Sequence, residues 1–174
     1  MSLYKLMVNF IDLRSFSNLW YWIALFAIWT RAVRFGLGVP YYMVAAARRD
    51  GGQALQDLAV MARITTARML AFSRGLGPWL VGLVSFAGTV LALLGFVYRS
   101  GLAQALFFLF VPLCVLGYLS LRAALRVEAG EGEGEALITL LTHHRNSVRF
   151  LAILAVGATV LFGLYANAQL FAPR

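Results

Sequence analysis

Four long apolar runs, at about Leu19–Leu37, Leu76–Tyr98, Leu102–Leu121 and Phe150–Ala168, constrain this chain more than any other feature. Each is close to the ~20 residues an α-helix needs to cross a ~30 Å hydrocarbon layer. No water at that depth can satisfy backbone N–H and C=O groups, so runs of this kind are helical. They predict an all-α membrane protein with four transmembrane helices in a single polytopic domain over residues 1–174. Composition agrees. Of the residues, 61% are hydrophobic and 13% charged, against ~45–50% and ~25% in a soluble domain.

The formal net charge of +8 could suggest a nucleic-acid partner. The basic residues form no stripe or motif, however, and instead flank the apolar runs. Anionic phospholipid headgroups are therefore the expected counter-charge, and nucleic acid is not an expected partner. Arg31, Arg34, Arg48, Arg49, Arg74, Arg122 and Arg126 are the candidate lipid-binding residues. Arg31 and Arg34 lie near the end of the first run, where long side chains can snorkel to the headgroups.

Lys and Arg near span ends favour the cytoplasmic side. Arg31, Arg34, Arg48, Arg49, Arg63, Arg68 and Arg74 lie between the first two runs, and Arg122, Arg126, Arg145 and Arg149 between the last two. The other side holds only Lys5, Arg14, Arg99 and Arg174. Both long connections are expected in the cytoplasm, with both termini periplasmic in a bacterial inner membrane. Trp20, Tyr21, Trp22 and Tyr165 would then mark the outer headgroup level, and Trp29 and Trp79 the inner one.

The N-terminal stretch is not a cleavable signal, because Lys5, Asp12 and Arg14 interrupt it. Leu3, Leu6, Met7, Phe10 and Ile11 recur at helical spacing and predict an interfacial helix over Met1–Phe16. Ser17 and Asn18 follow as caps for the first span. Gly36, Gly38 and Pro40 end that span. Tyr41–Arg49 can form a short helix stopped at Asp50-Gly51-Gly52. Gln53–Phe72 then reads as an amphipathic cytoplasmic helix, with Leu58, Met61, Thr65, Met69 and Phe72 on one face. It should lie on the inner leaflet or dock onto a neighbour, separated from the second span by Gly75, Gly77 and Pro78. Arg99-Ser100-Gly101 closes a tight hairpin between spans two and three. Pro112 should bend the third span. The alternation of glycine and glutamate over Val127–Glu135 predicts a solvated, flexible linker.

Groups for chemistry are sparse. Cys114 is the single cysteine and reads as a small apolar-like side chain in the third span. His143 and His144 diverge by about 100° on a helix, so they cannot share a metal as an i, i+4 pair could. They read as surface histidines near the headgroups. No acidic residue lies inside a span, whereas proton relays and ion-coupled transporters place such groups near the midplane. No catalytic residue, cofactor or metal site is expected.

The spans do carry small residues at helix-packing intervals: Ala155, Thr159 and Gly163 in the fourth, Gly88 and Ala92 in the second. Such stripes let backbones approach closely, within one bundle or against another membrane protein.

Three strings carry a resemblance: the run Phe10–Leu25 (FIDLRSFSNLWYWIAL), Leu37–Pro40 (LGVP) and Ala47–Gln53 (ARRDGGQ). With the span arrangement they resemble a family of small alphaproteobacterial inner-membrane proteins labelled "component of SufBCD complex". The likeness extends over most of the chain and is densest in the first ~75 residues. It implies association with iron–sulfur cluster assembly, as a docking partner using the basic cytoplasmic face. A scaffold or sulfur-transfer role would need several thiolates. The resemblance carries no catalytic or binding residue onto this chain.

Anchoring and packing signals without chemical groups predict a non-enzymatic accessory, assembly or stabilising subunit of a larger inner-membrane complex. Its expected partners are other integral membrane proteins and anionic phospholipids. The alternative is a small transporter or channel for a neutral or lipidic substrate.

Overall fold

The computed structural model describes residues 19–171. The interfacial helix expected over Met1–Phe16 and the Ser17–Asn18 cap lie outside the described residues. The described chain is almost entirely helical. Helix α1 covers Leu19–Arg34, α2 Tyr41–Asp50, α3 Gly52–Ala92, α4 Gly101–Arg126 and α5 Gly134–Phe171. Three helical segments are long and apolar enough to cross a membrane: Gly52–Val97, Gly101–Gly130 and Gly134–Tyr165.

The first apolar run does not stay helical to Leu37. Helix α1 runs for 16 described residues, to Arg34. It gives way to a minimal antiparallel hairpin, β1 (Phe35–Gly36) against β2 (Val39–Pro40). At the corner Leu37 has φ 54° and Gly38 φ 77°. Positive φ at both corner positions suits the twist of a two-residue hairpin. An L-residue there costs about 1–2 kcal/mol, and Leu37 offsets it by burying its side chain to 7% exposure. Gly38→Ala should destabilise the protein by a similar ~1–2 kcal/mol, because its Cβ would also meet the Thr65 Cγ2 at 3.4 Å. The thermal midpoint in mild detergent should fall for Gly38→Ala and hold for Gly82→Ala, whose Cβ meets nothing within 4 Å.

Helix α2 ends where Asp50-Gly51-Gly52 predicts, with Gly51 at φ 59° donating its N–H to the Ala47 carbonyl. The next stretch departs from expectation. Gly75, Gly77 and Pro78 do not separate two helices, and α3 runs unbroken for 41 residues with Pro78 inside it. Proline removes one donor, to the Arg74 carbonyl four residues back, but a helix held on both sides of that turn tolerates the loss. Packing holds it on both sides. Leu58, Ala62, Thr66 and Leu70 are buried on the N-terminal half, and Gly88 faces Phe110 of α4 on the other. The amphipathic segment is thus continuous with the apolar one in a single helix, and its buried face packs within this chain. Its buried stripe includes Ala62, Thr66 and Leu70, while Phe72 is exposed.

At about 60 Å, α3 is twice as long as a hydrocarbon layer is thick, and α5 with 38 residues is about 57 Å. The main core sits at one end of these helices. It joins Leu37, Val39, Val44, Ala47, Leu58, Ala62 and Leu70 to Ala124, Val127, Leu137 and Leu141. The two arginine-bearing connections therefore pack on each other.

The opposite end is closed by the α3–α4 hairpin. Helix α3 widens into a π-helical turn at Leu93–Val97, and the Ser100 N–H reaches back to the Leu94 carbonyl at 3.0 Å. The Gln104 side-chain amide donates to the Gly95 carbonyl at 2.8 Å. Gly95 is needed there, since a Cβ would stand 3.2 Å from the Gln104 nitrogen. Phe96, Phe107, Phe108 and Phe162 form a ring cluster that ties α5 to this hairpin, with Phe108 and Phe162 centroids 4.6 Å apart.

The glycine–glutamate stretch is compact rather than loose. A π-helical turn over Val127–Glu131 continues α4, and Gly130 at φ 120° turns the chain. Gly132 packs so closely on Val127 that a Cβ would stand 3.0 Å from its carbonyl oxygen. Val127 is buried in the core, while Glu128, Glu133 and Glu135 are exposed.

Candidate functional site

The small-residue stripe of α5 is occupied from within. Ala155 is 4% exposed and Thr159 fully buried, and Gly163 is buried as well. Ala155 joins Leu25 and Trp29 of α1 in a second core, with Leu109 and Leu116 of α4 packed beside it. Because threonine at helix-interior positions satisfies its hydroxyl locally, Thr159 donates to the Ala155 carbonyl at 2.8 Å, and the same hydroxyl lies within hydrogen-bonding reach of the Tyr21 phenol of α1. The Tyr21 hydroxyl donates to the Ala105 carbonyl of α4 at 3.2 Å, fixing the other end of α1. On α3, Gly88 and Ala92 are half-buried, with Gly88 against Phe110.

Trp29 is therefore not an interfacial anchor. It is 4% exposed, and its indole N–H has no hydrogen-bond partner among the described residues. His144 departs from expectation in the same direction: at 5% exposure it is a buried side chain, while His143 is exposed. Leu137, Leu140 and Leu141, on the same α5 segment, are likewise buried. Helical phase explains the difference, since neighbouring residues point about 100° apart.

The candidate lipid-binding arginines divide by what already holds them. Arg49 makes a two-pronged contact with the Asp50 carboxylate at 2.9 and 3.1 Å. That hydrogen bonding holds the exposed Asp50 carboxyl below the usual carboxylate range. The sign follows from linkage: the pair is present at neutral pH and is lost as pH falls through the folded-state value. Arg74 reaches from α3 to Glu128 in the α4–α5 turn at 2.6 Å. With both side chains largely exposed, this pair is worth at most about 1 kcal/mol, and its main effect is to clip the turn to α3. Arg48 donates to the Thr142 hydroxyl at 3.3 Å, joining α2 to α5. Arg145, which the lipid-binding set omits, lies over the Tyr41 ring at 3.3 Å. A cation on an aromatic face is a contact that helical spacing alone does not reveal. Arg122 and Arg126 are exposed on the last turn and a half of α4.

Arg31 and Arg34 differ from Arg48, Arg49 and Arg74. Both are exposed, and neither forms a hydrogen bond or ion pair among the described residues. The Arg31 guanidinium lies 5.4 Å over the Phe35 ring. A shallow groove of about 370 Å³ runs beside them, lined by Phe26, Ala27, Thr30, Arg31, Arg34 and Phe35. A second cavity, about 470 Å³, lies between α3 and the α4–α5 turn, where Arg63 faces Glu128 and Glu133 across Leu70 and Val127. Its opposite charges compensate each other and select no single kind of ligand.

Among the described residues no group of three or more His, Cys, Asp or Glu is placed to hold a metal. Cys114 is half-buried and free. No family model, curated protein or solved structure matches the chain.

Proposed function

We propose that this protein is a non-enzymatic accessory, assembly or stabilising subunit of a larger complex in the bacterial inner membrane. One observation carries the reading: the helices pack tightly at one end and leave their apolar flanks open along most of their length. In the most apolar 18-residue window of Gly52–Val97, only 6% is buried. Trp79, Val81, Leu83 and Phe86 are all more than half exposed there. Lipid tails, or the helices of other membrane proteins, are the surroundings in which such a surface is stable.

In this reading α1 makes a fourth crossing, and the packed end carrying α2, the first half of α3 and the α4–α5 turn faces the cytoplasm. The shared core of the two arginine-rich connections supports placing them on one side, and their positive charge favours the inner one. Arginines at this end would bind anionic phospholipid. The iron–sulfur assembly machinery implied by the sequence resemblance is the first cytoplasmic partner to seek.

Native purification in mild detergent tests the proposal. Defined membrane proteins should copurify in a fixed ratio, and a monodisperse monomer without partners would contradict the subunit role.

A further inference from the structure

We propose that the groove beside the C-terminal half of α1 is a seat for one anionic phospholipid, with Arg31 and Arg34 holding its phosphate and Phe26 and Ala27 lining the start of an acyl chain. The inference deepens the lipid-binding part of the proposed function and rests on the basic end of α1 lying at headgroup depth.

Three observations single out this place among the basic residues. Arg48, Arg49, Arg74 and Arg145 are engaged by Thr142, Asp50, Glu128 and Tyr41. Arg63, Arg68, Arg122 and Arg149 are as exposed and uncommitted among the described residues as Arg31 and Arg34, but Arg31 and Arg34 line one groove together. Arg31 and Arg34 stand three residues apart, so they are neighbours on one helical face. The Arg31 guanidinium lies 5.4 Å from the Phe35 ring centroid, a cation–π contact that holds the side chain beside the groove without using its N–H donors in a hydrogen bond. The groove itself is graded: Phe26, 56% exposed, and Ala27 lie toward the apolar body of α1, Thr30 in the middle, and the arginines at the end. An amphiphile with a phosphodiester next to its chains has the same order of groups. Two guanidinium groups match a phosphate by charge-assisted, paired hydrogen bonds, and the Thr30 hydroxyl can add a donor from the groove wall.

Free phosphate shares the recognised group but not the chains, which is how the two are told apart. Full-length protein, stripped of lipid in mild detergent, is titrated with phosphatidylglycerol and separately with phosphatidylcholine, and bound lipid is counted by native mass spectrometry. Wild type should retain one phosphatidylglycerol preferentially. R31Q/R34Q should weaken that binding about twenty-fivefold, at roughly a factor of five per arginine. R48Q/R49Q should leave it unchanged. Ala27→Trp, which fills the groove without altering charge, should also weaken it, and R31K/R34K, which keeps the charge but not the paired hydrogen bonds, should fall between wild type and R31Q/R34Q. Unchanged melting of each variant shows that folding is intact. The proposal is overturned if R31Q/R34Q binds as wild type, if phosphatidylcholine binds equally, or if inorganic phosphate displaces the lipid. Partner copurification is read separately, so loss of the lipid seat and loss of the subunit role are distinct results.

Discussion

Leu58→Ala is expected to lower the unfolding free energy by about 2–5 kcal/mol, the range for emptying a filled core site. Leu58 is fully buried, in the cluster that joins α2, the first half of α3 and the start of α5. If this end lies outside the hydrocarbon layer as proposed, water is the alternative environment for those side chains and the hydrophobic effect acts at full strength. The cavity left behind adds to the lost transfer energy because the long helices α3 and α5 cannot collapse into it. Leu83→Ala makes the same chemical change on the same helix, at a side chain 64% exposed. If lipid surrounds Leu83, its loss should cost less than about 0.5 kcal/mol, since lipid tails are as apolar as leucine. Thermal unfolding in detergent micelles should separate the two variants clearly. Equal costs would mean that the two halves of α3 share one environment.

Ala155→Leu should destabilise by about 1–3 kcal/mol through overpacking. Ala155 is 4% exposed between Leu25 and Trp29 of α1 and its own helix. Three added carbons must push α1 away, and the Tyr21 hydroxyl bond to Ala105 should weaken with it. A cysteine crosslink between α1 and α5, efficient in the parent, should fail in this variant. Gly157→Leu, two residues along the same helix and with nothing within 4 Å of its Cβ, should leave both the crosslink and the melting midpoint near parental values. The contrast decides whether the stripe serves α1 or an outside partner. Loss of a copurifying protein with α1 still in place would assign it to the partner.

Local signals placed most of the helix ends. Gly51 and Gly52 stop α2 because positive φ is cheap only there, and Arg99-Ser100-Gly101 is too short for anything but a hairpin. Three of the four apolar runs fall within the three spanning-length helices, whereas the first run does not. Misleading features were those where a local preference met a stronger distant contact. Gly75, Gly77 and Pro78 weaken a helix individually, but packing on either side keeps α3 continuous. Glycine and glutamate after Val127 suggest a loose tether, yet burial of Val127 and the Arg74–Glu128 contact draw the turn in. Trp29 and His144 read as interfacial from composition and depth. Which face of a helix meets a neighbour depends on partners far along the chain, and that placed both inside. The division of the arginines into engaged and uncommitted was illegible for the same reason. Arg48 and Thr142, or Arg145 and Tyr41, are about a hundred residues apart.

The central claim is that the apolar helices thread a bilayer and hold the arginine-rich, packed end inside the cell. Cysteine labelling on intact cells tests it most directly, with Cys114→Ser as background and single Ser100→Cys or Ala129→Cys replacements at opposite ends of α4. A membrane-impermeant maleimide should label Ser100→Cys in intact cells and reach Ala129→Cys only after the inner membrane is opened. Labelling of Ala129→Cys from outside would place the packed, arginine-rich end on the outer face instead.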